Sequence, residues 1–172
     1  TTDAQFVDSG LTSQALKKAI EQDGGADVIF CGRQSIDSEG MQTPYRLAKA
    51  LDMAVVSDVV DLSIGDGTAV AQREIGGGSR EVVQLQLPCV IGATRGLNEP
   101  RYPKLPDIMK AKKKEIRQIN LADLGLEPAS ALTQIVNLEA VPERGQARLM
   151  VGSTREAVEE LVRILKEEEK VI

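Results

Sequence analysis

The sequence predicts an α/β fold built on a Rossmann-like, mainly parallel sheet. The short apolar run Ala26–Cys31 is typical of a buried parallel strand. A polar loop follows, and then a helix that begins near Pro44, a residue suited to a first helical turn. The β-branched segment Ala54–Ile64 resembles a second strand. This alternation of strands with helices is the pattern of parallel sheets.

Further elements surround this pattern. An initial helix, expected to end at Gly24–Gly25, places three apolar residues on one face: Leu16, Ala19 and Ile20. Glycine turns separate two strands, Thr68–Ile75 and Glu81–Leu87, which suggests an antiparallel hairpin added to the sheet. Val90–Ala93 is a further apolar strand. Residues 1–10 are polar and are expected to fray.

The character of the chain changes at Leu121. Asp123–Pro128 resembles a linker, and Leu132–Val136 is predicted to form one strand. A last helix opens with a capping box, Ser153 and Glu156, and has a stripe of four apolar residues: Val158, Leu161, Val162 and Leu165. One strand and one helix bury little surface alone, so this tail is expected to pack on the first domain or on a partner subunit.

Composition excludes several functions. The 172 residues have a formal net charge of −5, which is unsuited to nucleic acid, and no apolar stretch is long enough for membrane insertion. Histidine is absent, which excludes Ser-His-Asp and Cys-His catalysis and argues against zinc. We expect no catalytic side chain and no metal. Cys31 and Cys89 end or begin apolar runs and are expected to be buried free thiols in a reducing compartment.

Two segments could bind a ligand or a partner. The loop Gly32–Pro44 joins a strand end to a helix start, where open α/β sheets bind phosphate, although ordinary loops also occur there. Leu97–Lys114 contains three prolines and then a basic run. It predicts either a preorganised docking loop or a helix whose lysines complement its dipole. Arg73–Gly78 alone predicts only a glycine-rich hairpin turn.

These three stretches, in this order, resemble the β subunits of electron transfer flavoproteins. The most specific is Leu97–Lys114, LNEPRYPKLPDIMKAKKK, and the elements REIGGG and GRQSID agree with it. The resemblance covers nearly the whole chain. It implies an α/β domain of the adenine nucleotide α-hydrolase-like type at residues 1–120, and a C-terminal arm at residues 121–172 that packs on the α subunit.

The resemblance implies an electron-carrier subunit rather than an enzyme. Such a heterodimer would carry electrons from flavin dehydrogenases, such as the acyl-CoA dehydrogenases of fatty acid β-oxidation, to a quinone oxidoreductase or a similar acceptor. FAD would be bound mainly by the α subunit, and a structural AMP by the β domain. In electron-bifurcating relatives a second FAD takes the place of AMP. The expected compartment is the cytoplasm, or the mitochondrial matrix in a eukaryote.

The resemblance also assigns roles to residues. Backbone N–H groups of Met41, Gln42 and Thr43 would face phosphate, in a site formed by Cys31, Gly32, Arg33, Gln34, Ser35, Ile36, Asp37, Ser38, Glu39, Gly40, Met41, Gln42 and Thr43. Leu105 would anchor partner dehydrogenases, within a recognition surface of Tyr102, Pro103, Leu105, Pro106, Met109 and Lys110. Glu74 would contact the flavin domain.

Three features depart from the family pattern. Pro44 stands where the family usually has Gly, which removes one N–H. The sequence of Asp37–Gln42 matches neither the AMP version nor the bifurcating version, so both cofactors stay open. The chain is expected to begin partway through the family's β subunit, which would leave a sheet edge exposed. The alternative functions are a stand-alone adenine-nucleotide-binding module and an interaction domain with a vestigial loop.

Overall fold

One five-stranded sheet organises the first part of the chain in the computed structural model, which describes residues 1–4, 6–143 and 145–172. Its strands are β1 (Val28–Gly32), β2 (Ala54–Ile64), β3 (Thr68–Gly76), β4 (Ser79–Gln86) and β5 (Cys89–Ala93). Their spatial order is β1-β5-β2-β3-β4. β5 lies parallel to both β1 and β2, whereas β2, β3 and β4 pair antiparallel. The predicted α/β class and its hairpin addition are confirmed.

The described ranges contain four α-helices: α1 (Ser9–Gln22), α2 (Thr43–Leu51), α3 (Leu105–Ala111) and α4 (Thr154–Arg163). α1 packs on α2, and α2 contacts β2 and β5. Leu11 and Leu47 are buried between these elements, but Leu16, predicted on the inner face, is 40% exposed. The glycine pair after α1 ends it as predicted, because the Gly25 N–H bonds to the Ile20 carbonyl.

Small and β-branched residues fill the core of the sheet. The buried cluster contains Val56, Val59, Ala69, Ala71, Leu85, Cys89 and Ile91. β1 is an edge strand that pairs only with β5, and its Phe30 is 56% exposed. No helix in the described ranges is long and apolar enough to cross a membrane.

The fraying expected for residues 1–10 is not found at Thr1, which bonds to the segment that follows α3. The Thr1 amine and hydroxyl bond to Ile119 and Asn120, and the Thr1 carbonyl accepts from the Leu121 N–H at 3.0 Å. Leu121 and Leu124 are buried, and the Lys18 ammonium donates to the Leu124 carbonyl at 2.6 Å. The predicted linker is therefore a packed segment with a short 3₁₀ turn, Ala122–Leu124.

The predicted strand Leu132–Val136 is wrong. These residues, all of which the structure describes, form no strand. Backbone N–H groups at Leu132 and Thr133 bond to the Asp8 carboxylate and not to a neighbouring strand. The compact unit that contains the sheet spans Thr1–Val136, and the expected domain at residues 1–120 with an arm at residues 121–172 stays a prediction.

The second unit spans Asn137–Ile172 and contains α4. The predicted capping box is confirmed, because the Ser153 hydroxyl accepts from the Glu156 N–H and the Glu156 carboxylate accepts from the Ser153 N–H at 2.7 Å. Of the predicted stripe, Val158, Leu161 and Val162 are 40–54% exposed. Packing of this unit on an α subunit stays a prediction.

Candidate functional site

A cavity of about 750 Å³ opens at the carboxyl end of β1. This volume lies within the range of roughly 300–1,000 Å³ that is typical of small-molecule sites. The β1–α2 loop and the starts of α1 and α2 supply most of its lining, and the remaining wall comes from Leu132 and Thr133. The predicted strand-to-helix position is thus the position of the cavity.

Most of the predicted nucleotide-binding residues line this cavity. They are Cys31, Gly32, Arg33, Gln34, Ser35, Ser38, Gly40, Met41, Gln42 and Thr43. Ile36, Asp37 and Glu39 do not line it, and Ile36 is 94% exposed. The structure therefore brings the two ends of the predicted segment and Ser38 to the cavity, and it leaves Ile36, Asp37 and Glu39 outside the lining.

The loop reaches α2 through unusual backbone conformations. Glu39 and Met41 have φ of 45° and 53°, in the left-handed region that non-glycine residues seldom adopt. No side chain caps the start of α2, and Pro44 occupies the first turn. Because the first N–H groups of a helix have no partner within it, this terminus presents donors and a positive dipole end to the cavity.

Asp8 is a cavity residue that the sequence analysis missed. It is only 8% exposed, and one carboxylate oxygen caps α1 by accepting from the Leu11 N–H at 2.7 Å. The other oxygen accepts from the N–H groups of Leu132 and Thr133 at 2.7 and 3.2 Å. The Leu11 bond, supported by the other backbone bonds and opposed by burial, lowers the pKa of Asp8. The capping role was visible as Asp before a helix, but the distant partners were not.

Two arginines bring positive charge to the cavity. Arg33 Nε lies 3.3 Å from an oxygen of Asp58, and Arg46 Nε donates to the Gln42 side-chain oxygen at 3.0 Å. The same Gln42 oxygen accepts from the Ser9 hydroxyl at 3.1 Å. Arg46 was not predicted, although its place one turn into α2 follows from the helix start at Pro44.

Both cysteines are free, as predicted, but only Cys89 is fully buried. Cys31 is partly exposed because it lines the cavity. Desolvation raises the pKa of both thiols, which favours the neutral form of Cys31 in the wall of the cavity.

The predicted recognition surface is solvent-exposed throughout. Tyr102 is 97% exposed and Leu105 73% exposed, and Pro103, Pro106, Met109 and Lys110 are also exposed. Leu105 is the first residue of α3, and no residue of α3 is buried. The segment is therefore an irregular stretch followed by a short helix. It combines the loop and the helix that the sequence offered as alternatives. Glu74 is exposed near the tip of the β3–β4 hairpin, opposite Arg80.

Comparison with known proteins identifies the family of this chain. The chain matches the electron transfer flavoprotein domain family over residues 2–124. The electron transfer flavoprotein subunit beta of Bacillus subtilis is 38% identical over 148 residues, which are 85% of this chain and 57% of the relative. The human subunit beta is 37% identical over 155 residues, 90% of this chain and 58% of the relative.

A third relative is the caffeyl-CoA reductase-Etf complex subunit CarD of Acetobacterium woodii. It is 34% identical over 167 residues, 94% of this chain and 63% of the relative. The chain thus spans 57–63% of the length of these three proteins. It belongs to the electron transfer flavoprotein family. Within that family, it is a member of the β-subunit group.

Proposed function

We propose that this chain is the nucleotide-binding part of the β subunit of a heterodimeric electron transfer flavoprotein. The complex would carry electrons from flavin dehydrogenases, such as acyl-CoA dehydrogenases, to a quinone oxidoreductase or a similar acceptor. The cavity would hold AMP as a structural ligand, and FAD would be bound mainly by the α subunit. The family match over residues 2–124 supports this proposal most strongly.

The cavity suits an adenine nucleotide chemically. An uncapped helix terminus at Thr43 meets two arginines, Arg33 and Arg46, in a space of about 750 Å³. Helix N-termini and guanidinium groups are the donors that phosphate prefers. Residues Met41–Thr43 would bond the phosphate through backbone N–H groups, and Cys31 would border the rest of the ligand.

The residues of this chain suit it to binding roles in the proposed complex. FAD, when bound in the complex, supplies the redox chemistry. This chain would bind nucleotide, pack on the α subunit and present the exposed Leu105 side chain to dehydrogenases. An apolar side chain that is 73% exposed at the start of a proline-stiffened helix is a suitable anchor, because its docking costs little conformational entropy.

A second candidate is a reductase-associated complex with a second FAD in the β cavity. Two observations favour it: CarD, a subunit of a caffeyl-CoA reductase-Etf complex, aligns with 94% of this chain, and two arginines can contact a diphosphate as well as a monophosphate. A stand-alone adenine-nucleotide-binding module is the remaining alternative, and tight nucleotide binding without any partner subunit would favour it.

Co-expression of this chain with an electron transfer flavoprotein α subunit tests the proposal. We expect the two chains to copurify and the complex to show flavin absorbance. If the chains do not associate, or if the complex contains no flavin, the proposed subunit role is wrong. The alternative module is tested separately by calorimetry of the isolated chain with AMP, ATP and FAD.

A further inference from the structure

Four polar side chains are linked in series beside the cavity. The Tyr45 hydroxyl donates to the Ser57 hydroxyl at 2.6 Å, and the Ser57 hydroxyl donates to one Asp58 oxygen at 2.9 Å. The other Asp58 oxygen lies 3.3 Å from Arg33 Nε. These contacts link the first turn of α2, a point in β2 and the β1–α2 loop. Only Arg33 was expected from the sequence to have a role in binding.

A bulge in β2 places Asp58 between Ser57 and Arg33 in this series of linked side chains. The register of β2 shifts between Val56 and Val59 against β5, and between Val59 and Asp61 against β3. Asp58 has a φ of 59°, which is costly for a residue other than Gly, Asn or Asp. β5 approaches closely here, since a Cβ on Gly92 would lie 3.0 Å from the Ser57 Cα. The bulge therefore holds Asp58 in a defined place.

Arg33 lines the cavity, whereas Ser57 and Asp58 do not. Asp58 contacts Arg33 at Nε, which leaves the two Nη groups for other acceptors. The Asp58 side chain is 21% exposed and the Arg33 side chain 51% exposed, so the carboxylate is the fixed partner of the pair. Tethering a long side chain in this way reduces the conformational entropy that it loses when it binds a ligand.

We propose that Asp58 is a positioning residue that holds Arg33 over the cavity so that its Nη groups bind the phosphate of the nucleotide, with Tyr45 and Ser57 fixing Asp58. The inference rests on the proposed nucleotide-binding function. Positioning and charge have opposite effects here, because the Asp58 carboxylate alone would repel a phosphate. The proposal states that positioning is the larger effect.

The test is calorimetry of the full chain with AMP and with adenosine, for the wild type and for Asp58→Asn and Asp58→Gly. Both replacements tolerate the positive φ, so the bulge is retained without the carboxylate. We expect the affinity for AMP to fall about three- to tenfold and the affinity for adenosine to stay within twofold. Tyr45→Phe should lower the AMP affinity by about twofold, since it acts through two intervening groups. Asp66→Asn, at an exposed turn residue, is the matched control.

A double-mutant cycle shows whether Asp58 acts through Arg33. In an Arg33→Gln background, Asp58→Asn should cause no further loss of AMP affinity and should leave only the small gain from removing the repulsion by the carboxylate. In the otherwise wild-type chain, equal losses of AMP and adenosine affinity would show a merely structural role, and an increase in AMP affinity would show that repulsion dominates; either result overturns the proposal. If the wild type binds neither ligand, the proposed nucleotide function itself fails, and the positioning role fails with it.

Discussion

The starts of α1 and α2 line the same cavity but are built differently. α1 begins after a buried carboxylate, Asp8, which caps the helix and also bonds to the backbone at Leu132 and Thr133. α2 begins after Gln42, whose side chain makes no capping bond and instead holds Arg46 and Ser9. One helix start is capped by a side chain of the protein, and the other has no side-chain cap.

This difference is the basis for proposing an anion site at α2 and not at α1. A phosphate at α1 would have to displace or face the Asp8 carboxylate, while a phosphate at α2 would meet unbonded N–H groups beside arginines. The start of α3 is a third case, because it has no side-chain cap, carries Asp107 in its first turn and exposes its apolar residue, Leu105, to solvent. The three helix starts therefore suggest three roles: structure, nucleotide and partner.

Removal of the α1 cap should have the largest effect. We expect Asp8→Ala to lower the free energy of unfolding by about 2–3 kcal/mol, because the helix loses its cap and two backbone N–H groups lose their acceptor. Urea denaturation of the full chain measures this, with Asp3→Ala, at an exposed residue of the same segment, as the control. A loss below about 0.5 kcal/mol would contradict the structural role of Asp8.

Shortening the Leu105 side chain at the start of α3 should affect partner binding and not folding. We expect Leu105→Ala to weaken dehydrogenase docking by about 2 kcal/mol, the size typical of an interface hot spot. Its unfolding free energy should hardly change, since the side chain is 73% exposed. Ile116→Ala, at a residue that is 86% exposed just after α3, is the matched control. Equal docking by all three proteins would remove Leu105 as the anchor.

Giving α2 a carboxylate should make it resemble α1. We expect Gln42→Asp to weaken AMP binding by about tenfold, or 1.4 kcal/mol, because the carboxylate competes with phosphate for the helix start. Gln42→Asn also loses the contacts to Ser9 and Arg46 but adds no charge, so it should weaken binding less. Calorimetric titration distinguishes the two variants. Similar affinities for both would argue that the phosphate lies elsewhere.

Lowering the pH should protonate the Asp8 carboxylate and so reduce the stability of the protein, with a smaller effect than the substitutions above. The pKa of Asp8 lies below its ordinary value of 3.8 in the folded protein, so the folded state releases this proton more readily than the unfolded state. The resulting stabilisation is complete above pH 3.8 and is lost as the pH falls from there toward the folded pKa. Asp8→Asn should lose this part of the acid dependence in urea titrations at several pH values. An identical pH profile in both proteins would contradict the assignment.

Local patterns predicted most of the fold. Pro44 marked the start of α2, the run Ala54–Ile64 has the bounds of β2, and Ser153 with Glu156 fixed the start of α4. Each depends on residues close in sequence, where propensity and capping act directly. The same reasoning failed at Leu132–Val136, because β-branched residues form a strand only beside a partner strand.

The site was predicted less completely, and the omissions have one cause. Asp8 is bonded to Leu132 and Thr133, which lie 124 and 125 positions further along the sequence. Asp58 reaches Arg33 only because β2 bulges. Neither relation has a sequence signature. The loop residues were found because a strand-to-helix junction is a local feature, yet the same argument included Ile36, Asp37 and Glu39, which do not line the cavity.

The most direct measurement is the identity and amount of nucleotide released when the complex of this chain with an α subunit is denatured. We predict one AMP and one FAD per heterodimer, with less AMP and the same amount of FAD retained in Gln42→Asp. Two FAD and no AMP would contradict the AMP assignment and favour the second candidate. FAD without any second nucleotide would contradict the claim that the α2 terminus is a phosphate site.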